Sequence, residues 1–363
     1  MNRSVSAPTS QIQSFYASDT ITAIKQNMLS GRPSAACEVC YFKESSGQKT
    51  SNRQLYNQQL SQHLDRSRLP DMPYENRLHY DLSLSNKCNQ KCRICGPNFS
   101  THWFKDAESL VDLSWSHVNH NHASQKLYTG AALIPVILKS MQSATAPFIV
   151  ELKGGEPLYN DETFDLLSSM VSLGLDQRCA SLKIITNGTA YSAEMLDLLA
   201  QFPSLDLEIS IDATGKLHEY TRGTSMSWDQ CRQKWAVLIS TLQLQQVLIL
   251  NTIYAYNAFE QGNLRRWAKA EFGTAVRLCD VLLHGPRYLS LNILPEDMLL
   301  QAADTMPDNM ELKQKISQGL PLLDHDELQV CRSQFAVFTK RLDQLRGEYL
   351  LDLVPELAPM LAE

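Results

Sequence analysis

The sequence has no long apolar run and no surplus of positive charge, and each absence removes a class of function. Its most apolar stretches, Ala131 to Leu138 and Val247 to Leu250, fall far short of the roughly 20 residues that span a bilayer, so no membrane partner is expected. Lys and Arg number 33 against 39 Asp and Glu, a formal net charge of -6. Nothing in that balance favours non-specific binding to nucleic acid. The opening MNRSVSAPTSQ lacks an apolar core followed by a cleavage site, and the nine cysteines are odd in number. A secreted disulfide framework is therefore not expected, and a reducing, cytoplasmic setting is. Glycine and proline, 15 each, are too few for a fibrous or disordered chain, while 44% hydrophobic residues in 363 suffice for one large or two smaller cores.

What the chain does have is a change of pattern near residue 73. Before it lies a polar lead-in, then a short helical pattern with Ile21, Ile24, Met28 and Leu29, ended by Gly31 and Pro33. A run rich in Gln, Ser, Asn and Arg follows and stops at Leu69-Pro70-Asp71-Met72-Pro73, the candidate boundary of a first segment, 1–73. Beyond it, short apolar strands alternate with longer helical stretches, the pattern of β/α units and a parallel sheet. Strands are expected at Leu78–Leu84, Phe148–Leu152, Leu182–Ile185, Leu207–Ile211, Val247–Ile253 and Tyr288–Leu294. Helices are expected at Thr163–Leu173, Ala193–Gln201, Trp228–Gln243 and Leu328–Arg346. Six strands suit an incomplete (β/α)6 barrel over 74–296, with a C-terminal helical extension over 297–363, better than an eightfold barrel of about 250 residues. His117, His120 and His122 lie close together, but without helical ligand spacing or an accompanying carboxylate they read as a polar surface loop.

Five cysteines fall in two clusters, which in a reducing setting points to metal or redox chemistry. Cys88-Asn-Gln-Lys-Cys92-Arg-Ile-Cys95 follows the first expected strand directly. Three thiolates on one short loop can ligate three irons of a four-iron cluster and leave the fourth open to another ligand. A structural zinc site would want a fourth Cys or His nearby, and none follows. Zinc or buried free thiols remain the alternatives on spacing alone.

This C-x3-C-x-Φ-C loop, with Ile94 at the Φ position, resembles the signature of the radical SAM superfamily. Gly154-Gly155-Glu156-Pro157, at the end of the second expected strand, resembles that superfamily's GGEP motif, which receives the amino group of S-adenosylmethionine. Two glycines let a ligand approach the backbone, and an exposed Glu would offer acceptors to an ammonium. Thr186 and Asn187 close the third strand, Ser210 and Asp212 the fourth, and Asn251 the fifth, where the resemblance implies contacts to the ribose and methionyl parts. Arg222 resembles the family's carboxylate-binding arginine, a role suited to a planar fork of donors. All lie at strand C-terminal ends or just beyond them, the face where β/α barrels gather active sites. Taken singly, each is an ordinary turn or capping residue.

The first cysteine pair, Cys37-Glu-Val-Cys40 with Glu44, Gly47, Ser51 and Arg53, resembles the C-x2-C-x3-E-x2-G-x3-S-x-R element of SPASM and twitch extensions, which hold auxiliary iron-sulfur clusters. Here the element precedes the barrel, as in the twitch-type group, and RYLSLNILPE and FTKRLDQLRGEYLLDLVPEL resemble that group too. An auxiliary cluster normally takes four protein ligands, so the other two come from afar, with Cys331 and Cys279 as candidates, or are absent and the pair holds zinc or nothing; an isolated cysteine is more often a small buried hydrophobe.

The resemblance implies an enzyme with a 4Fe-4S cluster on Cys88, Cys92 and Cys95, S-adenosylmethionine, and an auxiliary iron-sulfur cluster. It implies a one-electron reductant such as flavodoxin or ferredoxin, and reductive cleavage to a 5'-deoxyadenosyl radical that takes hydrogen from the substrate. A ribosomally made peptide undergoing modification is the expected substrate, with a separate peptide-recognition partner. The alternatives are a small metabolite such as a sugar or nucleoside derivative, or a non-catalytic zinc protein. The sequence assigns no catalytic side chain. Cys231 and Cys279 are candidate hydrogen-donor thiols, with buried structural cysteine as the plainer reading.

Overall fold

The computed structural model describes residues 14–15, 17–45, 51, 53–54, 57–58, 78–118, 127–305 and 323–362. In chain order the helices are α1 (Asp19–Leu29), α2 (Glu38–Ser45), α3 (Phe104–Ser109), α4 (Ile134–Ser143), α5 (Asp161–Ser172) and α6 (Ala193–Leu199). They continue with α7 (Gly215–Arg222), α8 (Trp228–Thr241), α9 (Gln261–Phe272), α10 (Glu296–Asp304), α11 (His325–Arg346) and α12 (Ala358–Leu361). The strands are β1 (His79–Ser83), β2 (Phe148–Lys153), β3 (Cys179–Thr186), β4 (Leu205–Ser210), β5 (Gln246–Ile253) and β6 (Val276–Leu282). All six are parallel and pair in sequential order, forming one open α/β sheet with β1 and β6 at its edges. Parallel neighbours in sequential order need a crossover between each pair, a connection that is right-handed in nearly all folds.

Local sequence sets the helix boundaries. Asn160 caps α5 by accepting from Thr163 N, Ser192 caps α6, Ser227 forms a reciprocal capping box with Gln230 on α8, and Asp324 caps α11. Alternation along the strands then sorts the sheet into two faces. Val150, Leu152, Leu182, Ile184, Leu207 and Ile209 face α5, α6 and α8 and pack with Leu166, Met170, Leu199 and Trp235 into the larger core. The intervening residues on the opposite face are charged. Lys183 lies 3.3 Å from Glu208 and 3.9 Å from Glu151, and Lys153 pairs with Asp81 at 2.6 Å. A second apolar cluster, including Trp103, Tyr220, Tyr256, Phe335 and Phe338, joins α3, α7 and α11.

Five expected strands appear with shifts of a few residues. The sixth does not: Tyr288–Leu294 folds into two 3-10 turns, Arg287–Leu289 and Leu291–Ile293, and the edge strand is Val276–Leu282. The physical reason lies in position. Pro286 and Pro295 bracket the apolar stretch and break extension, whereas the true strand is an edge whose residues after Val276 alternate exposed and half-buried, so Arg277 and Asp280 dilute its apolar signal. His117 also departs from expectation. It is half-buried against Trp103, Tyr288 and Phe338, so its part of the loop packs inward. His120, His122 and the Pro-bounded stretch 69–73 lie outside the described residues. Among the described residues, no helix is long and apolar enough to cross a membrane.

Candidate functional site

The loop after β1 carries Cys88, Cys92 and Cys95, the first two buried and the third half-buried. It is held from three sides at the C-terminal ends of the strands. Gly154 and Gly155 turn the chain after β2 with φ of 86° and 57°, a conformation that favours glycine. A Cβ on Gly155 would stand 2.5 Å from the Lys87 carbonyl oxygen, and one on Gly154 would overlap Ser83. Glu156 N donates to Lys87 O at 2.9 Å, so this turn packs directly against the entry to the cysteine loop. After β3, Asn187 Nδ2 donates to Asn89 Oδ1 at 2.8 Å and approaches Cys88 Sγ at 3.9 Å. After β4, the end of α7 receives the loop: Arg93 N donates to Thr221 O at 2.9 Å, and Arg222 Nη1 donates to Cys92 Sγ at 3.6 Å.

Thiol electrostatics follow from these contacts. Burial pushes Cys88 up to about 12. Cys92 is drawn down to about 6 by the hydrogen bond from Cys95 and by the Arg222 guanidinium, while that same bond and burial raise Cys95. A guanidinium N–H directed at the Cys92 sulfur favours its thiolate, the form in which a cysteine ligates metal. Among the described residues, no three His, Cys, Asp or Glu side chains surround a single point closely enough for one metal ion. A multi-iron cluster spreads its thiolates over separate irons and needs no such convergence. The donor set fits such a cluster: three neighbouring thiols, with an amide and a guanidinium N–H directed at two of the sulfurs.

The flanking residues depart from expectation at Glu156. It is buried, and its carboxylate accepts from Thr186 Oγ1, from Asn187 N at 2.7 Å and from Leu158 N at 3.1 Å. The exposed acceptor expected for an ammonium is instead an internal brace tying the turn after β2 to the end of β3. Burial raises its acid to about 7 against these donors. Pro157 is buried beside it. Asp212 Oδ1 accepts from Thr252 N at 2.8 Å, and its Oδ2 lies 3.2 Å from Arg222 Nε without hydrogen-bond alignment. Part of the Arg222 fork is thus already engaged with Asp212 and Cys92. Ser210 ends β4, half-buried. Asn251 lies opposite Asp280 in the strand register, and its Nδ2 donates to Gln261 Oε1 and Asp280 Oδ1, each at 2.7 Å. Its buried Oδ1 has no partner among the described residues.

The Cys37–Cys40 pair has its own setting. Cys37 ends a 3-10 turn and Cys40 lies in α2, both half-buried, and no third ligand joins them among the described residues. Glu44 binds both Ser51 and Arg53, and Arg53 lies over the Tyr41 ring, so these motif positions shape the segment itself. Cys331 is buried in α11 within the second apolar cluster, and Cys231 within the larger one; Cys279 is exposed on β6. Sequence reasoning missed Arg93. It stands between two of the cysteines, is fully buried, and pairs with Asp343 and Glu348 at 2.7 Å each. The only sequence signal was a charged residue inside the cysteine motif.

No protein-family model matches the sequence, and a search of curated proteins returns no match. Solved structures of similar fold include radical SAM enzymes. Native anSMEcpe with bound AdoMet is 13% identical, with a TM-score of 0.44 over 63% of this chain and 59% of that one. Streptococcus suis SuiB bound to S-adenosylmethionine is 14% identical, with a TM-score of 0.42 over 78% of this chain and 58% of that one. SuiB bound to the precursor peptide SuiA is 13% identical, with a TM-score of 0.39 over 89% of this chain and 64% of that one. The matches thus span about six-tenths of the lengths of those proteins. At such scores the likeness says nothing about activity, which has to be argued from the side chains.

Proposed function

We propose that this protein is a radical SAM enzyme whose cluster is held by Cys88, Cys92 and Cys95. The observation that carries the reading is the three-thiol loop itself, set at the C-terminal ends of parallel strands with Asn187 and Arg222 directing N–H groups at Cys88 and Cys92. On this reading the open sheet is a partial (β/α)6 barrel over 74–296. Bound there, a 4Fe-4S cluster supplies one electron to S-adenosylmethionine, giving methionine and a 5'-deoxyadenosyl radical able to take hydrogen from an unactivated carbon.

The chain's own residues have definable tasks. The hydrogen bond from Cys95 and the Arg222 guanidinium both favour the Cys92 thiolate, and Arg222 Nε lies 3.2 Å from Asp212. Glu156 fixes the turn of Gly154, Gly155 and Pro157, so that the backbone there keeps its distance from the loop constant. Thr186 and Asn187 hold Glu156 from the other side, and Ser210 at the half-buried end of β4 is available to the ligand's polar groups. Burial of the thiols excludes water, which strengthens each of these electrostatic contacts.

The substrate we propose is a ribosomally made peptide, on the resemblance of the Cys37–Cys40 element over 1–73 to twitch and SPASM extensions. That element would hold an auxiliary iron-sulfur cluster, 297–363 would form a helical extension, and a flavodoxin- or ferredoxin-type reductant and a peptide-recognition partner would complete a cytoplasmic system. Peptides are the first substrates to try on that resemblance; SuiB has been seen with a precursor peptide and anSMEcpe with the Cp18Cys peptide. Anaerobic reconstitution tests the cluster: brown protein with 4Fe-4S absorbance is expected, and colourless protein with stoichiometric zinc refutes it. Mass spectrometry of candidate precursor peptides before and after anaerobic reaction tests the substrate class; a change in mass or fragmentation supports it. Turnover of a sugar or nucleoside derivative with all peptides unchanged would favour the small-metabolite reading.

A further inference from the structure

We propose that the last turn of α11 and the residues after it form a latch that sets the geometry of the three-thiol loop, with Arg93 as its positioning residue. The inference rests on the reading of that loop as the cluster-holding element. Arg93 occupies the position between Cys92 and Ile94, and its side chain is wholly buried. One of its terminal nitrogens donates to Asp343 Oδ1 and to Glu348 Oε2, each at 2.7 Å, and its Nε donates to the Tyr220 carbonyl at 3.2 Å. The guanidinium lies 3.4 Å from the Tyr220 ring centroid, and Tyr220 Oη donates to the same Asp343 oxygen at 2.8 Å. The other Asp343 oxygen accepts from Leu350 N at 2.9 Å, which fixes the carboxylate to the segment after the helix.

A second tie runs in parallel. Lys91, also within the cysteine motif, lies 3.0 Å from Asp106, which accepts from Arg346 Nε at 2.8 Å. Arg346 covers the Trp103 ring at 4.5 Å, and Trp103 Nε1 donates to the Cys92 carbonyl at 2.9 Å. Asp343, Arg346 and Glu348 therefore reach Cys92 from two directions, across about 250 residues of sequence, as the separations of 250 and 255 for the Arg93 bonds show.

The chemistry of the contact argues for geometry over stability. A buried ion pair recovers its desolvation cost only with excellent alignment, and apolar residues of like volume often stabilise a fold equally well. Arg93 also braces α7, through Tyr220 and through its backbone bond to Thr221, and α7 presents Arg222 to Cys92. One guanidinium thus fixes the loop and the helix on either side of the Cys92 sulfur. A hydrophobic residue would fill the space without fixing that angle. Residues that orient metal ligands in this way typically change metal retention by about 10- to 100-fold when removed.

The test uses the full-length, anaerobically reconstituted protein and three variants: Arg93→Met with Asp343→Leu, Arg93→Lys, and Glu348→Gln. Far-UV circular dichroism and the thermal midpoint report folding. Iron per chain, the rate of iron release to a chelator, and the EPR signal of the reduced cluster with and without S-adenosylmethionine report the loop. The double variant is expected to fold and to lose iron about tenfold faster or more, with an altered EPR signal. Arg93→Lys keeps the charge but not the fork, and is expected to fold without restoring iron retention. A folded double variant with wild-type iron release and EPR signal overturns the latch. Should the double variant not fold, Glu348→Gln decides, because Glu348 is partly exposed: faster iron release supports the latch, and unchanged release overturns it. Wild-type protein that takes up no iron-sulfur cluster overturns the proposed function itself, an outcome read before any variant is compared.

Discussion

Glu156→Gln separates the bracing role of this carboxylate from any role as an exposed acceptor. Its acid is raised from 4.5 to about 7 by burial, against three donors that favour the anion. At 1.36 kcal/mol per unit, ionising it in the folded protein costs about 3 kcal/mol more than in the unfolded chain. A group raised on folding gives stability that is fully present below its unfolded value and lost as pH rises through its folded value. Wild type therefore loses this contribution between pH 4.5 and about 7. The Gln variant does not titrate, but its NH2 must face either Asn187 N–H or the donors from Thr186 and Leu158. One buried donor is left unpaired, at about 1–3 kcal/mol independent of pH. Urea unfolding of both proteins at several pH values is the assay. The variant should be less stable at pH 5, and the gap should close or reverse by pH 8. A gap that widens with pH would refute the reasoning, because it would show that the donors outweigh burial and hold Glu156 as an anion.

Three further substitutions probe the site. Gly155→Ala forces a Cβ to within 2.5 Å of the Lys87 carbonyl at a positive φ, so reconstituted iron content and thermal midpoint should both fall; unchanged values would show that the turn does not support the loop. Arg222→Lys loses the fork that reaches Cys92 and Asp212 together, and S-adenosylmethionine affinity measured by calorimetry should drop by about tenfold, or about 1.4 kcal/mol; equal affinity would count against any ligand contact by Arg222. Replacing Cys37 and Cys40 together by Ala should lower iron per chain while leaving the first cluster's EPR signal intact, and unchanged iron would show that the pair holds no iron-sulfur cluster.

The legible parts of this protein were those with local signals. The cysteine spacing, the paired glycines and five apolar strands each announce themselves within a few residues, and the sheet is built from them. The sixth strand was hidden because edge position makes its residues alternate with solvent, while a proline-bracketed apolar stretch imitated it. Glu156 was misread because a carboxylate after two glycines looks exposed until the strand beside it supplies Thr186 and Asn187. Arg93 and its partners Asp343 and Glu348 were invisible because their meaning depends on a contact between chain segments far apart in sequence. Local spacing brings the three cysteines onto one loop, and only the tertiary fold shows what braces that loop.

The most direct test of the central claim is formation of 5'-deoxyadenosine when anaerobically reconstituted protein, S-adenosylmethionine and a strong one-electron reductant are combined, compared with the same reaction of Cys92→Ala. Wild type should form it only when the reductant is present, and the variant, deprived of a cluster ligand, should form none. Product at near wild-type rate from Cys92→Ala would contradict the assignment of the three-cysteine loop.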